Sequence, residues 1–365
     1  MKFRCERDLL VDALATAGRA VANRGSALPV LSGLRFVLEG DELTLTGSDL
    51  ELTISVRVSV SGSVDGEAVV PSRLAADVVR ALDAGAVEFV LHDDQVDITS
   101  GRSDFSLRTL PADEFPRLAD PDGDEVRLDA KAIAAALRQV VPAASADDHR
   151  PILTGVLLAA EGSGLRLVAT DSYRLAVRDL PGTSVLSEGK SVLVPSRALA
   201  ELARVLEHDE SVTVRFGERD AAFRSGSVEL TTRLIEGEFP NYQGLIPSHQ
   251  PNRLTVGRDV LLDAVRRVKL LARESTTPVR LQMSTEGLEL VAVTQDVGEA
   301  HEQLDAKYEG TELTVAFNPD FLLQGIEVAG GDEVTLETVD SLKPAVLRGL
   351  DADEFLYLLM PVRVQ

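Results

Sequence analysis

Hydrophobic and polar positions alternate along this chain in two rhythms, one with the spacing of a helix face and one with the spacing of a strand face. Apolar residues three or four positions apart, each group following an Asp, predict three helices. A second kind of helix follows two Pro-Ser-Arg sequences, with Pro predicted at the first helical position. The apolar positions are Leu10, Leu14, Ala17 and Val21 after Asp8, Ile133, Leu137 and Val140 after Asp129, Leu261, Val265 and Val268 after Asp259, Leu74, Val78 and Leu82 after Pro71, and Leu199, Leu202 and Leu206 after Pro195.

The segments between these helices alternate apolar and polar residues with a period of two. An example is the run Leu52, Ile54, Val56 and Val58, which predicts a strand with one buried face. The order is strand, helix, several strands, helix and several strands, without the regular strand and helix alternation of a parallel sheet. We therefore predict an α+β fold in which two helices pack on antiparallel sheets.

This succession of elements occurs three times. A proline that opens an apolar run, an Asp in the next turn and a proline before the second helix recur in that order at spacings of 122 to 127 residues. Such a period matches the size of one domain and is too long for a solenoid repeat. We predict three tandem copies of one domain, at residues 1–121, 122–248 and 249–365. The recurring residues are Pro29, Pro151 and Pro278, then Asp49, Asp171 and Asp296, then Pro71, Pro195 and Pro319.

The composition excludes several classes of protein. The chain of 365 residues is 44% hydrophobic, but no apolar run approaches the roughly 20 residues that a membrane span needs. The first ten residues lack the apolar core of a signal peptide. The single Cys5 cannot form an internal disulfide, and we interpret it as a structural residue. These features predict a cytoplasmic protein that does not bind membranes.

The sequence offers no sign of catalysis. The five histidines are scattered without metal-ligand spacing, and the chain has no Gly-rich phosphate loop, GxSxG elbow or HExxH sequence. We predict no catalytic residue, no metal and no cofactor. The alternative is a three-domain enzyme with its site at a domain boundary, for which Asp171 with Arg174 is the nearest candidate pair.

Charge is distributed unevenly between helices and the rest of the chain. The net charge of −22 argues against nucleic acid as a partner. However, the predicted helical segments 6–24, 71–83, 129–145, 195–207, 257–274 and 319–328 together hold 14 basic and 13 acidic residues, which leaves 23 basic and 46 acidic residues elsewhere. The negative charge therefore belongs to strands and loops.

Basic residues on four of these helices occur in pairs seven positions apart. Two helical turns separate the members of a pair, so they lie on one face about 10.5 Å apart. One explanation is an ordinary solvated helix face, and another is a shared surface that faces a nucleic-acid backbone without reading sequence. The pairs are Arg73 and Arg80, Lys131 and Arg138, Arg197 and Arg204, and Arg266 and Arg273.

Motifs along the whole chain resemble the bacterial β sliding clamp family, the processivity subunit of the replicative DNA polymerase. They are the opening MKFRCERDLL, LPVLSGL after Arg24, SGRSDFSLRTLPADEFP, ATDSYRLAV at 169–177, TTRLIEGEFPNY, AFNPDFLL and YLLMPVR at 357–363. The resemblance implies a homodimeric ring of two head-to-tail chains with helices lining a central hole around duplex DNA. It also implies the replicative polymerase, the clamp loader and other clamp-binding-motif proteins as partners. A specialised second clamp copy, for example an antibiotic-resistant one, is the alternative.

The resemblance and the basic pairs together give three sets of candidate residues. The DNA-binding set is Arg24, Arg73, Arg80, Lys131, Arg138, His149, Arg150, Arg197, Arg204, Arg266 and Arg273. The peptide-groove set, implied by the family, is Thr170, Ser172, Tyr173, Arg174, Leu175, Pro240, Leu245, Leu358, Met360, Pro361, Val362 and Arg363. The dimer-interface set is Arg102, Phe105, Leu107, Leu270, Leu271, Glu299 and Glu302. From the residues alone, Leu175 and Leu358 are also explained as ordinary core strand positions.

Overall fold

The computed structural model describes residues 1–22, 28–116, 121–272, 277–295 and 297–363. Within these ranges the chain forms six α-helices and 26 strands, and every strand pairing is antiparallel. The predicted α+β fold and the threefold succession of elements are confirmed. The predicted sites Arg24 and Arg273, and the recurring Asp296, lie outside the described residues.

The elements follow the same order in each repeat. The first repeat contains β1 (Lys2–Glu6), α1 (Arg7–Gly18), β2 (Gly33–Glu39), β3 (Glu42–Ser48), β4 (Leu52–Ser59), β5 (Ser61–Val64), β6 (Gly66–Pro71), α2 (Ser72–Ala81), β7 (Ala86–His92), β8 (Gln95–Ser100) and β9 (Ser103–Arg108). The second contains β10 (Val126–Asp129), α3 (Ala130–Val140), β11 (Gly155–Glu161), β12 (Gly164–Thr170), β13 (Arg174–Leu180), β14 (Ser191–Pro195), α4 (Ser196–Val205), β15 (Ser211–Phe216), β16 (Asp220–Ser225) and β17 (Val228–Arg233). The third contains β18 (Asn252–Gly257), α5 (Arg258–Val268), β19 (Val279–Ser284), β20 (Gly287–Thr294), β21 (Gly298–Leu304), β22 (Lys307–Glu309), β23 (Leu313–Phe317), α6 (Pro319–Val328), β24 (Glu333–Thr338), β25 (Ala345–Gly349) and β26 (Phe355–Leu359).

The prolines before the second helices do not all occupy the predicted position. Pro71 and Pro195 are the last residues of β6 and β14, and their helices begin at the following Ser. Only Pro319 is the first residue of its helix. Both β6 and β14 are the outermost strands of their sheets, where a residue without a backbone N–H leaves no ladder hydrogen bond unmade. The prediction of a helical proline was therefore wrong for two of the three copies.

The predicted helix faces are largely buried, with corrections to three helix ends and to one buried face. Helices α1, α2 and α4 end at Gly18, Ala81 and Val205, so Val21, Leu82 and Leu206 lie beyond them. Leu74 on α2 is half exposed, and the buried face of that helix is formed instead by Ala75, Val78 and Val79. These three residues have the i, i+3 and i+4 spacing of one helix face, whereas Leu74 lies one position outside it.

The chain divides into two compact units. The first consists of residues 1–131 and 201–234 and contains two sheets. Their strand orders are β5-β1-β7-β8-β9 and β10-β15-β16-β17-β4-β3-β2-β6. Phe89 of the first sheet stacks on Phe3 at 5.0 Å and on Phe36 of the second sheet at 5.9 Å between ring centroids. Helices α1 and α2 pack against each other, and α1 also packs on β3 and β4.

The second unit consists of residues 132–200 and 235–365. Its two sheets have the orders β14-β11-β12-β13-β26-β25-β24-β18-β22 and β21-β20-β19-β23. Helix α6 packs closely on β26, and Gly325 permits this approach. A Cβ atom at that position would lie 2.5 Å from the Tyr357 ring. Helix α5 packs against α6 and against β20 and β21.

Each long sheet joins strands from two repeats. In the first unit, β17 of the middle repeat pairs with β4 of the first, with Leu230 opposite Ile54. In the second unit, β13 of the middle repeat pairs with β26 of the third, with Leu175 opposite Leu358. The compact units therefore do not coincide with the sequence repeats. The domain limits 1–121, 122–248 and 249–365 remain predictions.

Candidate nucleic-acid interface and peptide groove

The basic pairs lie on exposed faces of the predicted helices. Arg73 and Arg80 are on α2, Lys131 and Arg138 on α3, Arg197 and Arg204 on α4, and Arg266 on α5, and all seven are exposed. Several of them already contact a carboxylate: Asp77 lies 3.3 Å from Arg80 and 3.9 Å from Arg73. On α5, the hydrogen bond to Glu327 raises the pKa of Arg266. The helices therefore present cations that differ in how far they are neutralised.

The two candidate residues on the loop before Pro151 differ in exposure. The side chain of His149 is almost fully exposed, whereas that of Arg150 is folded back onto the protein. Arg150 donates to Asp147, to the hydroxyls of Ser145 and Ser172, and to the carbonyl of Asp171. The backbone N–H of His149 is the main cause that lowers the pKa of Asp147, followed by the His149 side chain and Arg150. Arg150 thus holds this loop against the turn at Asp171.

The recurring Asp has a structural role that explains its spacing. Asp171 Oδ1 accepts from the N–H groups of Tyr173 at 2.9 Å and Arg174 at 3.0 Å, and Ser172 between them has φ of 80°. In the first repeat Asp49 Oδ1 accepts from Glu51 and Leu52 in the same way, with Leu50 at φ of 79°. An Asp that bonds its own backbone two and three residues ahead stabilises a tight turn. The turn places Tyr173 outward and Arg174 inward.

Arg174 is a buried cation with a complete set of partners. Its guanidinium lies 3.1 Å from the Asp171 carboxylate and 3.2 Å from the hydroxyl of Tyr357, and it also donates to Gln324 and to the carbonyl of Pro142. The ring centroid of Phe321 lies 4.3 Å from its central carbon. Because every side of the guanidinium is occupied, Arg174 fixes the position of the turn, of Phe321 and of β26 relative to one another.

Large apolar side chains are exposed at this turn and elsewhere in the second unit. Tyr173 is 59% exposed, Leu245 49% and Met360 37%, which is unusual for side chains of this size. The ring of Phe321, on the first turn of α6, stacks on Tyr173 with 6.3 Å between centroids. Met360 donates its N–H to the carbonyl of Tyr173 at 2.9 Å. Sequence reasoning missed Phe321, because only the tertiary contact with Tyr173 and Arg174 reveals it.

The remaining residues predicted for the groove divide into buried and exposed groups. Leu175 and Leu358 are 0% and 1% exposed and belong to one core cluster with Tyr242, so their surface is covered by the chain itself. Thr170 is also buried and donates to the carbonyl of Arg174. The residues at the margin are Ser172, Pro240 and Arg363, which are exposed, and Pro361 and Val362, which are half-buried.

The interface candidates lie at the margins of two sheets. Phe105 and Leu107 are on β9, which pairs with β8 and forms one end of its sheet among the described strands. Phe105 is 39% exposed, but Leu107 is buried. Glu299 and Glu302 are on β21, the end strand of a sheet in the second unit. Leu270 is 69% exposed and Leu271 is half-buried, just after α5.

The ionic candidates at these margins have different surroundings. Arg102 is exposed in the turn before β9. Glu302 accepts hydrogen bonds from Arg267 of its own unit, and this contact lowers the pKa of Glu302. Glu299 lies 3.8 Å from His301. Glu302 therefore already has a cationic partner within its own chain.

Neither a metal site nor a membrane-spanning helix is found in the part of the chain that the structure describes. No group of three or more His, Cys, Asp or Glu side chains there is arranged to hold an ion. No helix within the described ranges is both long and apolar enough to cross a bilayer.

Comparison with known families identifies the origin of this architecture. Three family models of the DNA polymerase III beta subunit match the chain in order, the N-terminal domain over residues 1–119, the central domain over 127–241 and the C-terminal domain over 243–363. The chain belongs to the DNA polymerase III beta subunit family. A beta subunit of this kind is a sliding clamp, a processivity factor without catalytic activity, built from three clamp domains.

Full-length relatives support this assignment. The beta sliding clamp of Streptomyces coelicolor is 37% identical over 383 residues, with complete coverage of both chains, and that of Staphylococcus aureus is 32% identical over 378 residues, covering 100% of this chain and 99% of the relative. Among solved structures, the DNA polymerase sliding clamp of Bacillus subtilis has a TM-score of 0.92 at 29% identity, and the DNA polymerase III subunit beta of Pseudomonas aeruginosa has 0.91 at 31%. Both cover all of each chain.

The family assignment decides between the two classes of function raised by the sequence. A non-catalytic clamp needs no acid–base pair, and the geometry of Asp171 and Arg174 agrees. Both groups are buried and satisfied by the turn and by each other, so neither is presented to a substrate. The alternative of a three-domain enzyme is therefore wrong.

Proposed function

We propose that this clamp acts as a closed ring of two head-to-tail copies that encircles duplex DNA. In this proposal the ring holds DNA polymerase III, the clamp loader and other DNA enzymes through the apolar groove beside Tyr173. The observation that carries the proposal is the exposure of the basic helix faces in a chain whose net charge is −22.

The charge distribution suits binding to DNA without recognition of its base sequence. Arginine and lysine side chains attract phosphates regardless of sequence, and an acidic remainder discourages binding elsewhere on the surface. The helices that carry the basic pairs have no exposed aromatic residues between the basic positions. Binding through backbone charge alone permits sliding, because each step along the duplex exchanges equivalent phosphates.

Two open sheet margins support a head-to-tail dimer. An end strand has unpaired N–H and C=O groups that a strand of another chain can complete. Strands β9 and β21 are such ends, and each has exposed apolar side chains nearby: Phe105 beside one, Leu270 and Val293 beside the other. Because the two surfaces differ, the contact is heterologous, and it closes when two copies each contribute both surfaces.

The ring is tested by retention on DNA of different topology. After loading onto a nicked circular plasmid, we expect the clamp to remain bound through gel filtration and to be lost when the plasmid is linearised, because an encircling ring leaves only through an end. Leu270→Glu places a charge in the proposed interface and should give a monomer by sedimentation that is not retained on either DNA. Val260→Glu, at a similarly exposed apolar residue on α5, is the matched control. Equal retention on circular and linear DNA would rule out encirclement.

The groove is proposed to take an apolar segment of a partner protein. In this proposal the surface consists of Tyr173, which stacks on Phe321, of Met360, whose N–H bonds Tyr173, and of the exposed Leu245. Methionine adapts to different ligand shapes. The floor beneath it is a packed core cluster, so the surface is held in place before a peptide arrives.

Peptide affinity tests this assignment. A polymerase-derived peptide should lose at least tenfold in affinity for Leu245→Asp and should not bind when Met360 to Gln365 are deleted, because both changes remove the exposed apolar surface. The dimer should remain intact in sedimentation. Val260→Asp again serves as the control for adding one charge at an exposed apolar site. Unchanged affinity in the deleted chain would refute the groove.

A further inference from the structure

The helices that carry the basic pairs are not equivalent, because nearby carboxylates neutralise them to different degrees. On α3, Lys131 and Arg138 are exposed, and neither makes a salt bridge or side-chain hydrogen bond with any residue that the structure describes. Helix α3 contains no Asp or Glu, and its only other polar residue is Gln139. Both cations of α3 are thus available to an external anion.

On α2 and α4 the positive charge is partly compensated. Asp77 serves both Arg73 and Arg80 on α2, which leaves one uncompensated charge for the pair. Arg204 on α4 lies 2.6 Å from Glu201, which Arg19 also approaches at 3.5 Å. A carboxylate shared between two guanidiniums leaves each of them able to exchange it for a phosphate.

On α5, each cation within the described residues has a carboxylate partner, and for Arg266 the nearer partner lies on the neighbouring helix. Arg266 contacts Glu327 of α6 at 2.7 Å and Asp263 at 3.5 Å, so two acids surround one cation. Lys269 of the same segment pairs with Asp320 of α6. Helix α6 itself contains no Lys or Arg. The cations of this surface are therefore paired with carboxylates of the same chain.

A phosphate must displace these carboxylates before it can bind Arg266. Arg266 would lose its contacts with two carboxylates and gain one with a phosphate. Glu327 and Asp263 would then lie close to that phosphate, and their like charges would repel it. At α3 no such exchange is needed. Resting on the proposed encirclement of DNA, we propose that α3 is the principal phosphate-contacting helix of this clamp and that Glu327 on α6 withholds Arg266 from the duplex.

The salt dependence of duplex binding measures this difference directly. The logarithm of the affinity falls with the logarithm of salt concentration by about 0.9 for each phosphate contact. We compare the dimeric clamp with Lys131→Gln, Arg138→Gln, Arg266→Gln and Glu327→Gln on a fluorescent duplex at several low salt concentrations. Lys190→Gln and Glu312→Gln, at exposed positions away from the helices, control for the change in net charge. A thermal unfolding curve confirms that each variant is folded.

Because the dimer carries each substitution twice, we expect Lys131→Gln and Arg138→Gln each to reduce the slope by about 1.8, which is about 0.9 for each lost phosphate contact. Arg266→Gln should match Lys190→Gln. Glu327→Gln should steepen the slope beyond Glu312→Gln, because it releases Arg266. In the double variant Arg266→Gln with Glu327→Gln, that gain should disappear.

Two contrary results have different meanings. If Arg266→Gln weakens binding as much as Lys131→Gln, the ranking of helices is overturned while DNA binding by the helices stands. If every helix variant behaves like the Lys190→Gln control, both this inference and the proposed DNA-facing role of the helices are overturned.

Discussion

At the scale of single residues, the second unit is organised around a buried charge. Arg174 touches Asp171, Tyr357 and Phe321, which come from a turn, a strand and a helix that are far apart in sequence. A buried guanidinium is tolerated only when all its donors are used, so its partners are held in one arrangement. Tyr357 is the partner whose ionisation the fold opposes, because its hydroxyl is buried, although the facing guanidinium favours the ionised form.

Alkaline pH should therefore destabilise the clamp through Tyr357. Burial raises the pKa of Tyr357 to about 12, with the nearby Arg174 acting in the opposite direction. The unfolded tyrosine ionises near pH 10, so the folded chain binds the extra proton between about pH 10 and 12. Over that window the free energy of unfolding should fall by about 1.4 kcal/mol per pH unit from this group alone.

Urea denaturation across pH 9 to 12 compares the chain with Tyr357→Phe, which keeps the ring and lacks the proton. The stability difference between the two should be constant below about pH 10 and then shift in favour of the variant. Parallel curves up to pH 12 would mean that Tyr357 ionises equally in both states.

At the scale of elements, local patterns predicted the helices well and their contacts poorly. The apolar periods of 3.6 residues for a helix and 2 for a strand depend only on residues close in sequence. Leu10, Ile133 and Leu261 were therefore correctly placed on buried helix faces. Leu74 was not, because which of two adjacent apolar positions is buried depends on the packing partner. The groove illustrates the same limit: the turn Asp was visible in the sequence, but Phe321 joins it only through tertiary packing.

The N-terminus of α6 is stabilised by a side-chain cap. Asn318 is its N-cap, and its side chain accepts from the N–H groups of Asp320 at 2.8 Å and Phe321 at 3.3 Å. Asn318→Ala should lower the free energy of unfolding by about 1 kcal/mol in urea titrations, since two helix N–H groups lose their acceptor. The same substitution should weaken peptide binding, because Phe321 sits on the affected turn.

Asn318→Asp retains the acceptor and provides the control for this prediction. It should preserve both stability and peptide affinity, since Asp is an equally good cap. Loss of peptide affinity in Asn318→Asp but not in Asn318→Ala would contradict a capping role.

At the scale of the whole molecule, the repeats of the sequence and the cooperative units of the structure differ. Internal similarity marks where a domain was copied, but strand pairing decides which residues unfold together. The middle repeat contributes β15 to β17 to a sheet with strands of the first repeat, and β11 to β13 to a sheet with strands of the third. No local pattern predicts these joints, because the pairing of β17 with β4 joins Leu230 to Ile54, which are 176 positions apart.

Hydrogen exchange in two variants of the middle repeat distinguishes these descriptions. Phe223 on β16 and Leu167 on β12 are both buried, and truncation to Ala should cost about 3 to 5 and 2 to 5 kcal/mol respectively. We expect Phe223→Ala to accelerate exchange in β2 to β4 of the first repeat and to leave β24 to β26 protected, because β16 belongs to the first unit. Leu167→Ala should do the reverse. If each variant instead accelerated exchange throughout residues 122–248 and nowhere else, the sequence repeat would be the cooperative unit, and the continuous sheets would contribute little to how the chain unfolds.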